Sequence, residues 1–407
     1  MGKLLYSVIT ILSRLVSGLF IFYFLAIYLK VDDFGRVTYF FTVAVIVGLL
    51  IDYGYNLKLS RDAVSKKGML PELIGIALCV KSINALLSFL FLFLLSVHFS
   101  LDGNEILLLS LFVLSQFIQS LGFTLYPLLR AEGKFKKESK LAIINNLTVF
   151  FIFIAAVQFE LLALYAMAIG FICGRSLVLI AFIKSDYFKQ ATFNFKLLKK
   201  EYAICFSFFI HAAVGYLYFN LDTVLIKDFV SFEEVGKYQA AMKFVLAATF
   251  LGEAITNVYV PKMINEGFKD NRIILSFHLK VLKQMVGLGL LAGVGFYSLA
   301  LYGTEFILGA EYTVSWFVIL PLAFVVFLRY VGVYFGMLLT IVNKQITRVV
   351  AGVVALFTLI ICIELFGANH GIAGAAYASL IAHITVMLIY VYSGIKELRQ
   401  NNVLQIN

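Results

Sequence analysis

The sequence predicts an all-α polytopic membrane protein: twelve transmembrane helices in two six-helix bundles related by a pseudo-two-fold along the membrane normal. Three observations predict it. Of the 407 residues, 62% are hydrophobic and only 14% charged, with a mean hydropathy of +0.97, outside the range of ordinary soluble domains. Apolar runs of about 20 residues, the length that crosses a bilayer, recur throughout. Short motifs in the first half reappear in the second.

The runs fall at approximately 5–29, 37–55, 72–97, 105–129, 140–158, 162–183, 201–226, 236–259, 284–302, 314–340, 349–366 and 372–394. They are continuous rather than alternating, so they read as helices and not as barrel strands. The first is too long for a signal-peptide core and lacks a cleavage site, so it is expected to remain as a span.

Orientation follows from the basic residues between the runs. With a cytoplasmic N-terminus, inside loops carry dense groups such as Lys58, Arg61, Lys66 and Lys67, then Arg130, Lys134, Lys136, Lys137 and Lys140. The next inside stretch, KSDYFKQATFNFKLLKK at 184–200, is equally basic. Outside loops hold only Lys30, Arg36, Lys227 and Lys237. This asymmetry follows the positive-inside rule and places both termini in the cytoplasm. It also accounts for the net charge of +10, which is therefore no nucleic-acid footprint.

Cys79, Cys173, Cys205 and Cys362 sit in separate runs without CxxC spacing and read as small packing residues. The five histidines are scattered too, so neither a metal site nor a catalytic centre is expected. His211 and His383 lie within runs as candidate polar cavity residues.

Two echoes point to duplication. DDFGR at 32–36 precedes the second helix, and EEVGK at 233–237 precedes the eighth. LLRAEGK at 128–134 ends the fourth helix, and LLTIVNK at 338–344 ends the tenth. Both pairs are six helices apart. The expected organisation is an N-terminal bundle at 1–184, a cytoplasmic linker at 185–200, a C-terminal bundle at 201–396 and a tail at 397–407. Six is even, so the halves share one orientation, as in transporters that bind at the midplane between repeats.

Arg14, Lys81, Arg175, Lys243 and Arg329 belong to no loop. Each lies within about 6 Å of the middle of its run at 1.5 Å per residue. A charge there costs about 2.5–3.5 kcal/mol on insertion scales. Snorkelling reaches only part of the half-thickness, and the acids Asp52, Asp222, Glu253 and Glu364 fall nearer the run ends. A water-filled cavity lined by these cations lowers the cost and binds an anion such as a diphosphate, whose oxygens suit the guanidinium fork. Tyr216 and Tyr218, in GYLYFN, are candidate sugar contacts or interfacial anchors. Asp52, Asp222 and Glu253 are candidates for ion coupling or gating, with local pairing of Asp52 to Lys58 or Arg61 as the simpler role. Glycines in VGLGLLAGVG at 286–295 and GIAGAA at 371–376 suit close helix packing. Pro127 and Pro321 occupy corresponding helices and are candidate kinks.

The stretch DDFGRVTYFFTVAVIVGLLIDYGYNLKLSRDAV at 32–64 resembles the second-helix region of O-antigen flippases, the Wzx-type polysaccharide exporters. NLDTVLIKDFVSFEEVGKYQAAMKF at 220–244 is similar to their seventh-to-eighth-helix element. These flippases belong to the multidrug/oligosaccharidyl-lipid/polysaccharide exporter superfamily. The resemblance implies an inner-membrane flippase, not an enzyme, for undecaprenyl-diphosphate-linked O-antigen (lipopolysaccharide) repeat units. It implies a cationic lumen at the positions above, no cofactor, and coupling to an H+ or Na+ gradient. Membrane lipid, an O-antigen polymerase and a chain-length regulator are the implied partners. The alternatives are a multidrug exporter of the same superfamily, disfavoured by a basic lumen, and a membrane-embedded polymerase or glycosyltransferase, disfavoured by short loops.

Overall fold

The computed structural model describes residues 2–98, 101–266, 268–269 and 272–400, so the last seven residues of the expected tail lie outside it. Helix dominates. In order come α1 (Gly2–Tyr28), α2 (Val31–Asp52), α3 (Tyr55–Ser65), α4 (Leu70–His98), α5 (Gly103–Gly122), α6 (Leu125–Ala131), α7 (Phe135–Val157) and the single turn α8 (Glu160–Ala163). They continue with α9 (Ala166–Ile183), α10 (Asp186–Lys189), α11 (Phe195–Ile226), α12 (Phe232–Glu266), α13 (Leu275–Ser298), α14 (Thr304–Leu308), α15 (Trp316–Ile341) and α16 (Gln345–Gln400). A two-residue ladder pairs Phe268–Lys269 with Arg272–Ile273.

Among the described residues, nine helices are long and apolar enough to cross a membrane. α16 is two spans, divided where Gly371 takes φ 51°, a left-handed value that only glycine adopts cheaply. α1 adds the shorter apolar stretch Leu12–Tyr28, and the more polar α12 completes the twelve expected segments. Leu86, Phe93, Leu291 and Leu388 are exposed, as a lipid-facing surface requires.

Two compact units divide the chain, residues 1–216 and 217–407, with the division inside α11. In the first unit α1 packs on α7, α7 on α9, α9 on α5, α5 on α2 and α2 on α4. Gly170 and Gly174 let α9 approach α7 until an added Cβ would stand 2.7 Å from the carbonyls of Val149 and Asn145. Small residues at this spacing let helices meet without side chains between them. The second helix breaks at Tyr53–Gly54, both in left-handed conformation. The fourth breaks ahead of Pro127: lacking an N–H, this proline leaves the Phe123 carbonyl to Tyr126 N, at 3.1 Å. The basic stretch after α9 does not hang free. Thr192 N donates to Pro71 O at 3.0 Å, against Gly75 of α4.

In the second unit α15 is the central rod, packed by α12, α13 and α16. Gly289 and Gly293 bring α13 onto the carbonyls of Phe327 and Ala323. Of the GIAGAA glycines, only Gly374 marks a close approach, to Phe366 O; Gly371 is the helix break. Pro321 leaves α15 continuous, unlike its counterpart Pro127.

The echoed motifs fold alike. Arg36 bridges Asp32 at 2.9 Å, and Lys237 bridges Glu233 at 2.6 Å, each one helical turn apart. After α6, Lys134 N bonds Leu129 O at 2.8 Å around Gly133; after α15, Lys344 N bonds Leu339 O at 2.7 Å around Asn343. The side chains eight residues apart beside these turns also correspond. Arg130 meets Glu138 at 2.5 Å, and Arg348 donates to the Thr340 hydroxyl at 2.7 Å.

Candidate functional site

In the first unit the intramembrane cations gather along the α5–α6 rod. Lys81 of α4 is fully buried, and its Nζ donates to Asn56 Oδ1 (2.8 Å), Ser120 O (2.7 Å) and Thr124 Oγ1 (2.8 Å). It also pairs with Asp52 Oδ1 at 3.2 Å. Ser120 Oγ and Asn56 N donate to the same carboxylate. Lys81 therefore spends every donor on protein, which corrects the expectation of an anion-binding cavity lysine. The reason is the break at Tyr53–Gly54. It makes Asp52 the last residue of α2, turned toward α4, where a flexible lysine reaches it. Asp52 is accordingly not the partner of Lys58 or Arg61. Those residues take Asp62, at 2.7 and 2.9 Å, and Lys58 also meets Glu201 of α11 at 2.5 Å.

Arg175 of α9 is different. It is 6% exposed, donates through Nη1 to Ser115 Oγ at 2.7 Å, and lies 4.3 Å from the centre of the Phe171 ring. Among the described residues no carboxylate pairs with it. Arg14 of α1 is exposed and has no carboxylate partner among the described residues either; its charge acts on Tyr126 of α6. Its neighbour Ser13 accepts from Asn146 Nδ2 at 3.1 Å, pinning this face of α1 to α7. Arg175 and Lys81 thus meet this rod at Ser115 and at Ser120 and Thr124, and Arg14 acts on it electrostatically at Tyr126.

In the second unit the cations lie instead beside the end of α11. Arg329 of α15 stands 4.2 Å over the Phe219 ring. Lys243 of α12 is half-buried and acts electrostatically on Asp222. Asp222, a candidate for ion coupling, is buried and already accepts from Tyr238 OH at 2.6 Å and Thr223 N at 2.8 Å. Tyr218 lies against His383 of α16, ring centres 4.6 Å apart and planes tilted by 39°. Tyr216 is half-buried, the last residue of the first unit. Glu253 lies in α12, with its side chain outside the described residues.

Ser115, Phe171, Asn56 and Thr124 had no signal in the sequence. They become visible only once α4, α5 and α9 are packed. No group of three metal-ligating side chains occurs among the described residues.

Residues 2–265 match the family of polysaccharide biosynthesis proteins. The chain belongs to that family. No curated protein matches it. Among solved structures, it superposes on a lipid II flippase, MurJ, in an inward closed conformation, with TM-score 0.73 and 20% identity over 98% of this chain and 89% of that one. An inward-facing multidrug resistance MATE family transporter of the MOP superfamily gives TM-score 0.71 at 12% identity, covering 97% and 96%. A mutant of the Vibrio cholerae MATE transporter VcmN gives 0.64 at 15% identity, covering 98% and 96%. The polysaccharide biosynthesis family member is thus a multi-pass membrane protein with the fold of MOP superfamily exporters.

Proposed function

We propose that the protein is a flippase, not an enzyme, that carries undecaprenyl-diphosphate-linked O-antigen repeat units from the cytoplasmic to the periplasmic face of the inner membrane. Alternating access moves the headgroup, while the polyprenyl tail stays in lipid. Both termini are cytoplasmic in this reading, an H+ or Na+ gradient supplies the work, and an O-antigen polymerase and chain-length regulator act on the product.

What carries this reading is that Arg14 and Arg175, set within apolar helices of a polysaccharide biosynthesis family member, have no carboxylate of their own among the described residues. Cations left without counter-ions in a membrane are costly and suit an anionic passenger. The solved lipid II flippase shares the fold.

The test is complementation of a host lacking its own flippase. Neutralising Arg14 and Arg329 together is expected to abolish surface polysaccharide while protein levels hold. Normal polysaccharide from that variant would remove the basis of the reading. The MATE transporters share the fold as well, so ethidium efflux is measured in parallel. Efflux without polysaccharide would make the protein a drug exporter instead.

A further inference from the structure

The first turns of α13 carry a polar stripe that belongs to no part of the proposed transport site. Ser276, Leu279, Lys280, Lys283 and Gln284 line a groove of about 550 Å³. Spaced three and four residues apart, they share one face of the helix. Beside them, Tyr259 of α12 donates to Gln284 Oε1 at 2.8 Å, so the amide Nε2 of Gln284 remains a donor. Lys262 Nζ stands 5.8 Å over the same Tyr259 ring. Lys262, Lys280 and Lys283 are exposed, and none of them is ion-paired with a carboxylate among the described residues.

The depth of the groove says what fits it. From Ser276 to Gln284 is about 12 Å along the helix, just ahead of the apolar run at 284–302. The stripe therefore stands at headgroup level rather than in hydrocarbon. The same face continues into the run as Gly287, Leu290 and Leu291. Both leucines are exposed, and nothing lies within 4 Å of a Cβ added at Gly287. Cationic donors at one end and an uncovered apolar track at the other are complementary to an anionic head on an acyl chain. The ammonium of a zwitterionic head would meet like charges there, with no carboxylate to receive it. We propose that this α12–α13 groove binds an anionic glycerophospholipid, its phosphodiester on Lys280 and Lys283 and its acyl chain along Gly287, Leu290 and Leu291. Two lysines one turn apart can both reach a single phosphodiester as compact charges. Such a lipid is not the passenger, and the groove would hold it whatever the protein carries.

The test is native mass spectrometry of the purified full chain, titrated in detergent with phosphatidylglycerol and with phosphatidylcholine of the same acyl chains. Phosphatidylglycerol is expected to bind about tenfold tighter or more, the scale of two lysine–headgroup contacts. Lys280→Gln with Lys283→Gln is expected to remove that preference, and Lys280→Arg with Lys283→Arg to keep it. Lys136→Gln with Lys137→Gln, an equal loss of charge at exposed positions of α7, is expected to leave it unchanged. Glycerol 3-phosphate, a head without chains, is expected not to compete at the lipid's own concentration. Equal binding of the two lipids overturns the proposal, as does a preference that survives Lys280→Gln with Lys283→Gln. An equal loss in the α7 variant would reduce the effect to overall charge and overturn the site. Competition by glycerol 3-phosphate would make the groove a free-phosphate site and overturn the lipid assignment.

Discussion

The Nζ of Lys81 lies 3.2 Å from Oδ1 of Asp52, and the two charges join four helices, α2, α4, α5 and the short α3 that supplies Asn56. A buried lysine with this many partners is a structural bolt. Removing one member of a fully buried pair costs about 3–5 kcal/mol, whereas replacing both with apolar groups is often neutral. Asp52 is 23% exposed and keeps Ser120 and Asn56 as donors, so stranding it costs less. Lys81→Met alone is therefore expected to lower the melting temperature of the detergent-purified protein measurably. The double variant Lys81→Met with Asp52→Leu is expected to recover most of the loss and, with it, surface polysaccharide. A double variant that melts normally yet transports nothing would return Lys81 to the substrate path.

Arg175 should behave in the opposite way. Its guanidinium is buried on one hydroxyl and one aromatic face, Ser115 and Phe171, so its desolvation is poorly offset. Arg175→Met removes an uncompensated charge and leaves nothing ionic behind. Thermal stability is expected to hold or rise while polysaccharide export falls. A variant that unfolds would show that Arg175 serves packing instead.

The α7–α9 contact gives a purely steric prediction. A Cβ at Gly174 would sit 2.5 Å from Val149 Cγ2 and 2.7 Å from Asn145 O, and a backbone carbonyl within a helix cannot retreat. Gly174→Ala is expected to destabilise by about 1–3 kcal/mol, the usual penalty for overpacking. Gly295→Ala is the control, because nothing lies within 4 Å of the added methyl. There the change is expected to be neutral, or to stabilise by about 0.5–1 kcal/mol through helix propensity. Thermal unfolding of the two variants decides it; equal melting points would show that α7 and α9 are looser than they stand here.

Much of this was legible before any coordinates. Period and length announced the spans, because lipid leaves the backbone no partner but itself. The echoes DDFGR/EEVGK and LLRAEGK/LLTIVNK announced paired turns, since a one-turn salt bridge and a left-handed residue closing a helix are local devices that a few adjacent residues encode. The cations at Arg14, Lys81, Arg175, Lys243 and Arg329 could be placed inside helices by counting alone.

Their partners could not. Asp52 and Lys81 are far apart in sequence, and nothing in either stretch says that a break at Tyr53–Gly54 aims one at the other. Ser115 beside Arg175 and His383 beside Tyr218 are equally remote. Sequence by itself determined which segments lie in the membrane and how much charge they bring with them, because burial in lipid is a property of each segment alone. Only the tertiary structure decided which of those charges is already answered by a neighbour, because a side chain's electrostatic surroundings are set by whichever helices pack against it.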